Sequence, residues 1–292
     1  MQEIIVIVGP TGIGKTKLSI ALAKYLNAEI INGDSVSIYK KLNIGSAKPT
    51  EEEKENIPHH LIDIKDPTED YTVYDYQKDV RQKIAEINKK NKRIIIVGGT
   101  GLYIKAALYD YQFKKGTTHN EYKDLSNEQI IEMLTKYTKE INIHKNNRKR
   151  LVRLLNKYEN EEPITNNKNI LLYPCKVIGL KTDRNTLYER INKRVDNMIE
   201  EGLLDEIESL KDEYKDSRIL NSGIGYKEFI PYLEKKETLE EVVEKIKQNS
   251  RRYAKRQYTF FKHQFPTTWY DINFNNFEKT IEEIKNDITK EA

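Results

Sequence analysis

Between Gly9 and Thr16 the chain reads G-P-T-G-I-G-K-T, after the apolar run Ile4 to Val8 and before a helical stretch from Lys17 to Leu26. A strand that delivers glycines to a tight turn ahead of a helix makes a phosphate-binding loop, because the backbone N–H groups wrap an anion at the helix N-terminus. Lys15 adds a point charge, and the Thr16 hydroxyl can ligate Mg²⁺. The phosphate-binding set is therefore Gly9, Pro10, Thr11, Gly12, Ile13, Gly14, Lys15 and Thr16. Such a loop usually holds a nucleoside triphosphate, so ATP is the first ligand expected.

The next hundred residues repeat the alternation: strand Glu29 to Asn32, helix Tyr74 to Lys89, strand Arg93 to Gly98. Strands alternating with helices argue an α/β fold with a parallel sheet of the P-loop NTPase-like kind. Ligands in such sheets sit at the carboxyl ends of the strands. Three loops leave those ends, at Gly9 to Thr16, Gly33 to Ser37 and Gly98 to Gly101, and their side chains are expected to meet in one crevice.

After Leu108 the pattern changes. Phe113 to Lys123 has turn composition, and Ser126-x-x-Gln129 forms a capping box ahead of Ile130, Leu134, Tyr137 and Ile141 at helical spacing. Asn146 or Asn147 can cap a second helix with Leu151, Leu154, Leu155 and Tyr158 on one face, and Glu161 to Asn169 reads as a polar linker. Residues 114–172 are thus expected to be a helical insertion between two parts of one core, 1–113 and 173–292. A strand returns at Lys176 to Leu180. A helix capped by Asp183 follows, with Leu187, Ile191, Val195 and Met198 inward and Gly202 interrupting it. Thr238-x-x-Glu241 caps a long helix, and Phe277, Ile281, Ile284 and Ile288 mark a last amphipathic one.

The net charge of +4 says less than its distribution. His144 to Lys157 holds Lys145, Arg148, Lys149, Arg150, Arg153 and Lys157 and no acid. Lys245 to Lys262 holds Lys245, Lys247, Arg251, Arg252, Lys255, Arg256 and Lys262, again without an acid, and interleaved with Tyr253, Tyr258, Phe260 and Phe261. Segregated charge of this kind is the footprint of a polyanionic partner, against the alternative of two solvated helix faces. No window approaches the ~18 unbroken apolar residues of a membrane span. With no charged leader and Cys175 as the single cysteine, a reducing cytoplasm is expected, with no membrane association; a monomer is the default expectation, not a reading of these residues.

A hydrolysing ATPase needs a second acid after an apolar strand, to hold Mg²⁺. Here Ile94 to Val97 runs into Gly98-Gly99-Thr100-Gly101, which contains none. The acid expected at the crevice is Asp34 alone, followed by Ser35, Val36 and Ser37. An acid so placed can be a general base reaching an acceptor nucleophile, a helix cap or a Mg²⁺ ligand. Arg190 and Arg194 share a helix face and can close over phosphate oxygens, or pair with Glu189 and Glu200. His59 and His60, with no further His or Cys nearby, fit a structural loop better than a metal site.

These segments together resemble the tRNA dimethylallyltransferase (isopentenyltransferase) family. The resemblance rests on Gly9 to Thr16, Gly33-Asp34-Ser35, Ile44-Gly45-Ser46-Ala47-Lys48-Pro49-Thr50, Pro58-His59-His60-Leu61-Ile62-Asp63, Gly98 to Ile104, Ile224-Gly225-Tyr226-Lys227-Glu228 and Arg251-Arg252-Tyr253-Ala254-Lys255-Arg256-Gln257. It spans residue 4 to about residue 270 and is weakest in the insertion, which looks shortened. Ser46 stands where Thr is usual, Asn147 where Asp is, and Lys149 where Gln is.

The resemblance implies transfer of a dimethylallyl group from its diphosphate to the exocyclic amine of the adenine 3′ of the anticodon, in tRNAs reading codons that begin with U. The loop would hold the leaving diphosphate, with Mg²⁺ on Thr16. Lys15 and Arg194 would stabilise its charge, Asp34 would take the amine proton, and Thr100 would orient adenine or diphosphate. Ser35, Val36 and Ser37 would line the mouth through which the flipped adenine arrives. Lys149, Arg150 and Arg153, with Arg251, Arg252, Lys255 and Arg256, would clasp the anticodon stem-loop. On spacing alone, a nucleotide or small-metabolite kinase uses the same loop, acid and arginine lid.

Overall fold

The computed structural model describes residues 2–113, 122–160 and 170–290. Six parallel strands form one sheet in the order β3-β2-β4-β1-β5-β6. They are β1 (Ile4–Val8), β2 (Ala28–Asn32), β3 (His59–His60), β4 (Arg93–Val97), β5 (Cys175–Lys181) and β6 (Thr267–Asp271). β1 lies at the centre, with Ile5 beside Ile95 of β4 and Lys176 of β5. Its five residues are all fully buried, as expected of a parallel strand covered on both faces.

The crossovers are α1 (Lys15–Leu26), the short α2 (Glu51–Lys54), α3 (Val73–Lys89) and α4 (Gly101–Leu108). On one face Ile5, Ile7, Ile30, Ile95, Ile178 and Leu180 form a core with Leu18 and Leu22 of α1 and with the apolar stripe Phe277, Ile281, Ile284 and Ile288. Alternate residues of the same strands, such as Ile4, Val6, Ile31 and Ile96, point to the other face and are equally buried. Tyr76, Val80, Ile84 and Ile87 of α3 are buried as well.

The chain divides into two compact units, Met1–Tyr109 with Leu171–Ala292, and Asp110–Ile170. Composition placed the insertion at 114–172, whereas backbone pairing sets its edges: Tyr109 and Leu171 form an antiparallel bridge, and Leu172 N–H donates to the Leu108 carbonyl at 2.9 Å. The second unit holds α5 (Asn127–Thr135), with the Ser126 capping box, and α6 (Arg148–Glu159), capped by Asn147. Ile130, Leu134, Leu151 and Leu155 are its buried centre. Tyr137 and Ile141 lie beyond the end of α5, and Tyr137 stacks on Tyr158. The linker expected at Glu161 to Asn169, and most of the expected turn after Phe113, lie outside the described residues.

In the first unit, α7 (Arg184–Glu200) starts at the Asp183 cap and gives way at Gly202 to α8 (Leu203–Ser209). After the short α9 (Ile230–Leu233), α10 (Leu239–Gln264) runs from the Thr238 capping box, and α11 (Phe277–Lys290) closes the chain. His59 and His60 were expected in a loop; they form the edge strand β3, paired to Ile30 and Ile31. His60 Nε2 lies 2.7 Å from the Glu29 carboxylate, a partner two strand residues cannot announce. None of the described helices is long and apolar enough to cross a membrane.

Candidate active site

The phosphate loop leaves β1 and ends at Gly14, the N-cap of α1, at φ 95°. A side chain there would be strained and would meet Phe277 at 2.8 Å from its Cβ. Lys15 and Thr16 therefore open the first turn, two residues before the helix start expected from sequence. Gly9 and Pro10 are buried, and their carbonyls accept from Lys15 Nζ at 3.0 and 2.8 Å. Ile13 is fully buried in the core, which fixes the loop from below.

The loops after β2 and β4 close against each other. Gly33 N–H donates to the Val97 carbonyl at 2.7 Å, and Thr100 N–H donates to the Gly33 carbonyl at 3.0 Å. A Cβ on Gly98 would lie 2.1 Å from the Gly33 carbonyl carbon, so this glycine is required by backbone approach. Asp34 follows, its Oδ1 accepting from Val36 N–H at 3.1 Å. Thr100 Oγ1 accepts from Ser35 N–H at 3.0 Å and donates to Ser35 Oγ at 3.2 Å.

These loops surround a cavity of about 1260 Å³, lined by Thr11 through Thr16, Asp34, Ser37, Gly98, Arg190 and Arg194. A smaller one, of about 280 Å³, is lined by Ser35, Val36, Arg256 and loop residues from Ile219 to Lys227. Thr11, Asp34, Ser46, Arg194, Met198 and Tyr253 line both. The three strand-end loops thus converge as expected. Asp34 is not the only acid present, because Glu53 from α2 and Glu201 after α7 also line the larger cavity. Neither segment adjoins a strand end, so sequence order hides their approach.

Burial lowers the Lys15 ammonium to about 8, opposed by the Asp34 charge and reinforced by Arg194. Burial also lowers Arg194, with Asp34, Glu53 and Glu201 pulling the other way. Lys15, Arg190 and Arg194 thus line the cavity as cations an anion can meet, alongside the carboxylates of Asp34, Glu53 and Glu201. Arg190 donates through Nε to the Gly12 carbonyl at 3.2 Å and lies 3.8 Å over the Phe274 ring, rather than pairing with Glu189.

Two side chains from α10 complete the floor; sequence places Tyr253 and Gln257 in the motif Arg251 to Gln257 but assigns neither a role at the site. Gln257 accepts from Thr11 N–H at 2.9 Å and donates to the Gly99 carbonyl at 3.0 Å, joining the phosphate loop to the loop after β4. Tyr253 donates to the same carbonyl at 3.3 Å, and burial together with Asp34 raises its phenol. The available signal was position: Gln257 shares the buried stripe of α10 with Ala254 and Phe261.

The basic helices separate into structural and exposed groups. Arg251 donates to Asn192 of α7 and lies over Tyr188, and Lys247 pairs with Asp196 at 2.7 Å. Arg252, Lys255 and Arg256 are exposed. On α6, Arg148 donates to the Leu125 carbonyl at 2.6 Å and also to the Tyr122 carbonyl, whereas Lys149, Arg150 and Arg153 are exposed. Among the described residues, no three His, Cys, Asp or Glu side chains cluster to hold a metal.

A family model described as IPP transferase matches residues 37–264. The chain belongs to the IPP transferase family. A relative from Bacillus licheniformis, named tRNA dimethylallyltransferase, is 47% identical over 284 residues, covering 92% of this chain and 90% of that protein. Among solved members, the tRNA isopentenylpyrophosphate transferase of Bacillus halodurans superposes with a TM-score of 0.78 at 39% identity, covering 99% of this chain and 96% of that one. A eukaryotic dimethylallyltransferase acting on tRNA gives a TM-score of 0.82 at 27% identity, covering all of this chain and 80% of its own. These likenesses extend over nearly the whole chain, not the phosphate loop alone.

Proposed function

We propose that this enzyme transfers a dimethylallyl group from dimethylallyl diphosphate to the exocyclic amine of the adenine next to the anticodon, on its 3′ side, in tRNAs reading codons that begin with U. The observation that carries this reading is Asp34, standing where the phosphate-loop cavity meets a second cavity, while the strand end at Gly98 and Gly99 offers no acid for a hydrolysing Mg²⁺ site. A kinase accounts for the first cavity alone, and family membership with relatives named for the transfer goes against it.

The amine nitrogen attacks the allylic carbon as the bond from that carbon to the diphosphate oxygen breaks. The electron pair leaves with the diphosphate, and Asp34 accepts the amine proton. Lys15, Arg194 and the loop N–H groups stabilise the charge that builds on the departing oxygens. Thr16 opens α1 on the cavity wall and is exposed, so its hydroxyl would help hold Mg²⁺, which would supply further positive charge to the departing diphosphate. Thr100 holds the backbone of Ser35, shaping the adenine side of the site. The exposed cations of α6 and α10 bind the anticodon stem-loop through its phosphates. The enzyme works as a monomer in the cytoplasm.

Labelled dimethylallyl diphosphate incubated with bulk unmodified tRNA, with and without ATP, tests the reading. Label should enter tRNA without ATP; ATP consumption with no tRNA labelling would refute it. Asp34→Ala should lower turnover about 10²-fold or more while tRNA binding persists.

A further inference from the structure

Asn32 ends β2, two residues before Asp34, and is only 7% exposed on a strand whose Ile30 and Ile31 are fully buried. Its amide is committed three times. Nδ2 donates to the Asp34 carbonyl and to the Leu61 carbonyl, each at 2.9 Å, and Oδ1 accepts from Asp34 N–H at 2.9 Å. Its own carbonyl accepts from the buried Tyr76 hydroxyl at 2.9 Å. One side chain therefore grips both backbone polar groups of residue 34 and anchors them to the segment after β3.

We infer that Asn32 is a positioning residue that aims the Asp34 carboxylate, an inference that rests on Asp34 being the base. With the backbone of Asp34 fixed at both polar groups, Oδ1 meets Val36 N–H and Oδ2 turns toward Gly99, where an added Cβ would lie 3.6 Å from it. The task needs two donors and one acceptor at this reach. Asn alone supplies them: Asp has no donor, Ser only one, and Gln is a methylene longer. Gly33, which has no side chain to limit the backbone, precedes Asp34, so local sequence does not fix the carboxylate direction unaided.

The test is a cycle of Asn32→Ala and Asn32→Asp, each in the wild-type and the Asp34→Asn backgrounds, with kcat and both KM values measured beside tRNA binding and thermal unfolding. A base displaced by part of an ångström costs about 10- to 100-fold in kcat, with both KM values within about twofold of wild type. In the Asp34→Asn background the same changes should cost less than about twofold more, because their effect passes through Asp34. An equal loss in both backgrounds, or kcat within about twofold of wild type, overturns the inference. Asn32→Asp keeps the side-chain size and the acceptor, and carries the cycle if Asn32→Ala does not fold. Asp34→Asn turning over like wild type would instead overturn the base reading, whatever Asn32 does.

Discussion

Raising the pH should weaken capture of the prenyl donor before it slows the chemical step. The cause is Lys15, whose ammonium donates to the Gly9 and Pro10 carbonyls and is lowered by burial to about 8. With that value the charged fraction falls from about nine-tenths at pH 7 to about one-tenth at pH 9, so kcat/KM for the donor should drop roughly tenfold. A bound diphosphate reverses the shift, because adjacent negative charge favours the ammonium, and kcat at saturating donor should stay flat over the same range. Burial moves Tyr253, which also lines the cavity, upward and away from this window. The assay is the initial rate of label transfer with tRNA saturating and donor varied, from about pH 7 to about pH 9.5, repeated with Lys15→Arg. The guanidinium stays charged throughout, so the fall should vanish in that variant. A constant kcat/KM, or the same fall in Lys15→Arg, would refute the reasoning.

Replacing the exposed Arg252 and Lys255 together should weaken tRNA binding and flatten its salt slope by roughly one unit per lost phosphate contact, measured by filter binding at several salt concentrations. Arg251→Ala should instead loosen the contact with α7, visible as a lower Tm, since its guanidinium reaches Asn192. Within the insertion, Arg148→Ala should melt the unit Asp110–Ile170 earlier in hydrogen exchange, because it strips donors from the Tyr122 and Leu125 carbonyls, while Arg150→Ala should leave exchange unchanged and lower tRNA affinity. Gly98→Ala drives a Cβ into the Gly33 backbone and should cost about 1–3 kcal/mol or more in thermal unfolding, with turnover falling further as the Asp34 loop is displaced.

Periodicity and caps made most of the fold legible. Thr238 with Glu241 and Ser126 with Gln129 form the capping boxes their spacing announces, and the stripe from Phe277 to Ile288 is buried along its length. Two-residue β3 carries no periodicity and looks like a loop in sequence, because it exists only through pairing with β2. β6 is short and only partly buried, so Thr267–Asp271 stood out in neither apolar content nor alternation.

The site divides along the same line. Sequence by itself determined the phosphate loop, Asp34 and the strand-end glycines, since backbone conformation and anion chemistry restrict which residues can stand there. Tertiary structure alone decided that Gln257 joins two loops separated from it by more than a hundred residues. It also decided that Glu53 and Glu201 share the larger cavity, and that Arg148 and Arg251 hold structure while their neighbours face solvent. A local motif states which groups are available, but a hydrogen bond depends on which groups the packed sheet and helices bring within 3 Å of each other.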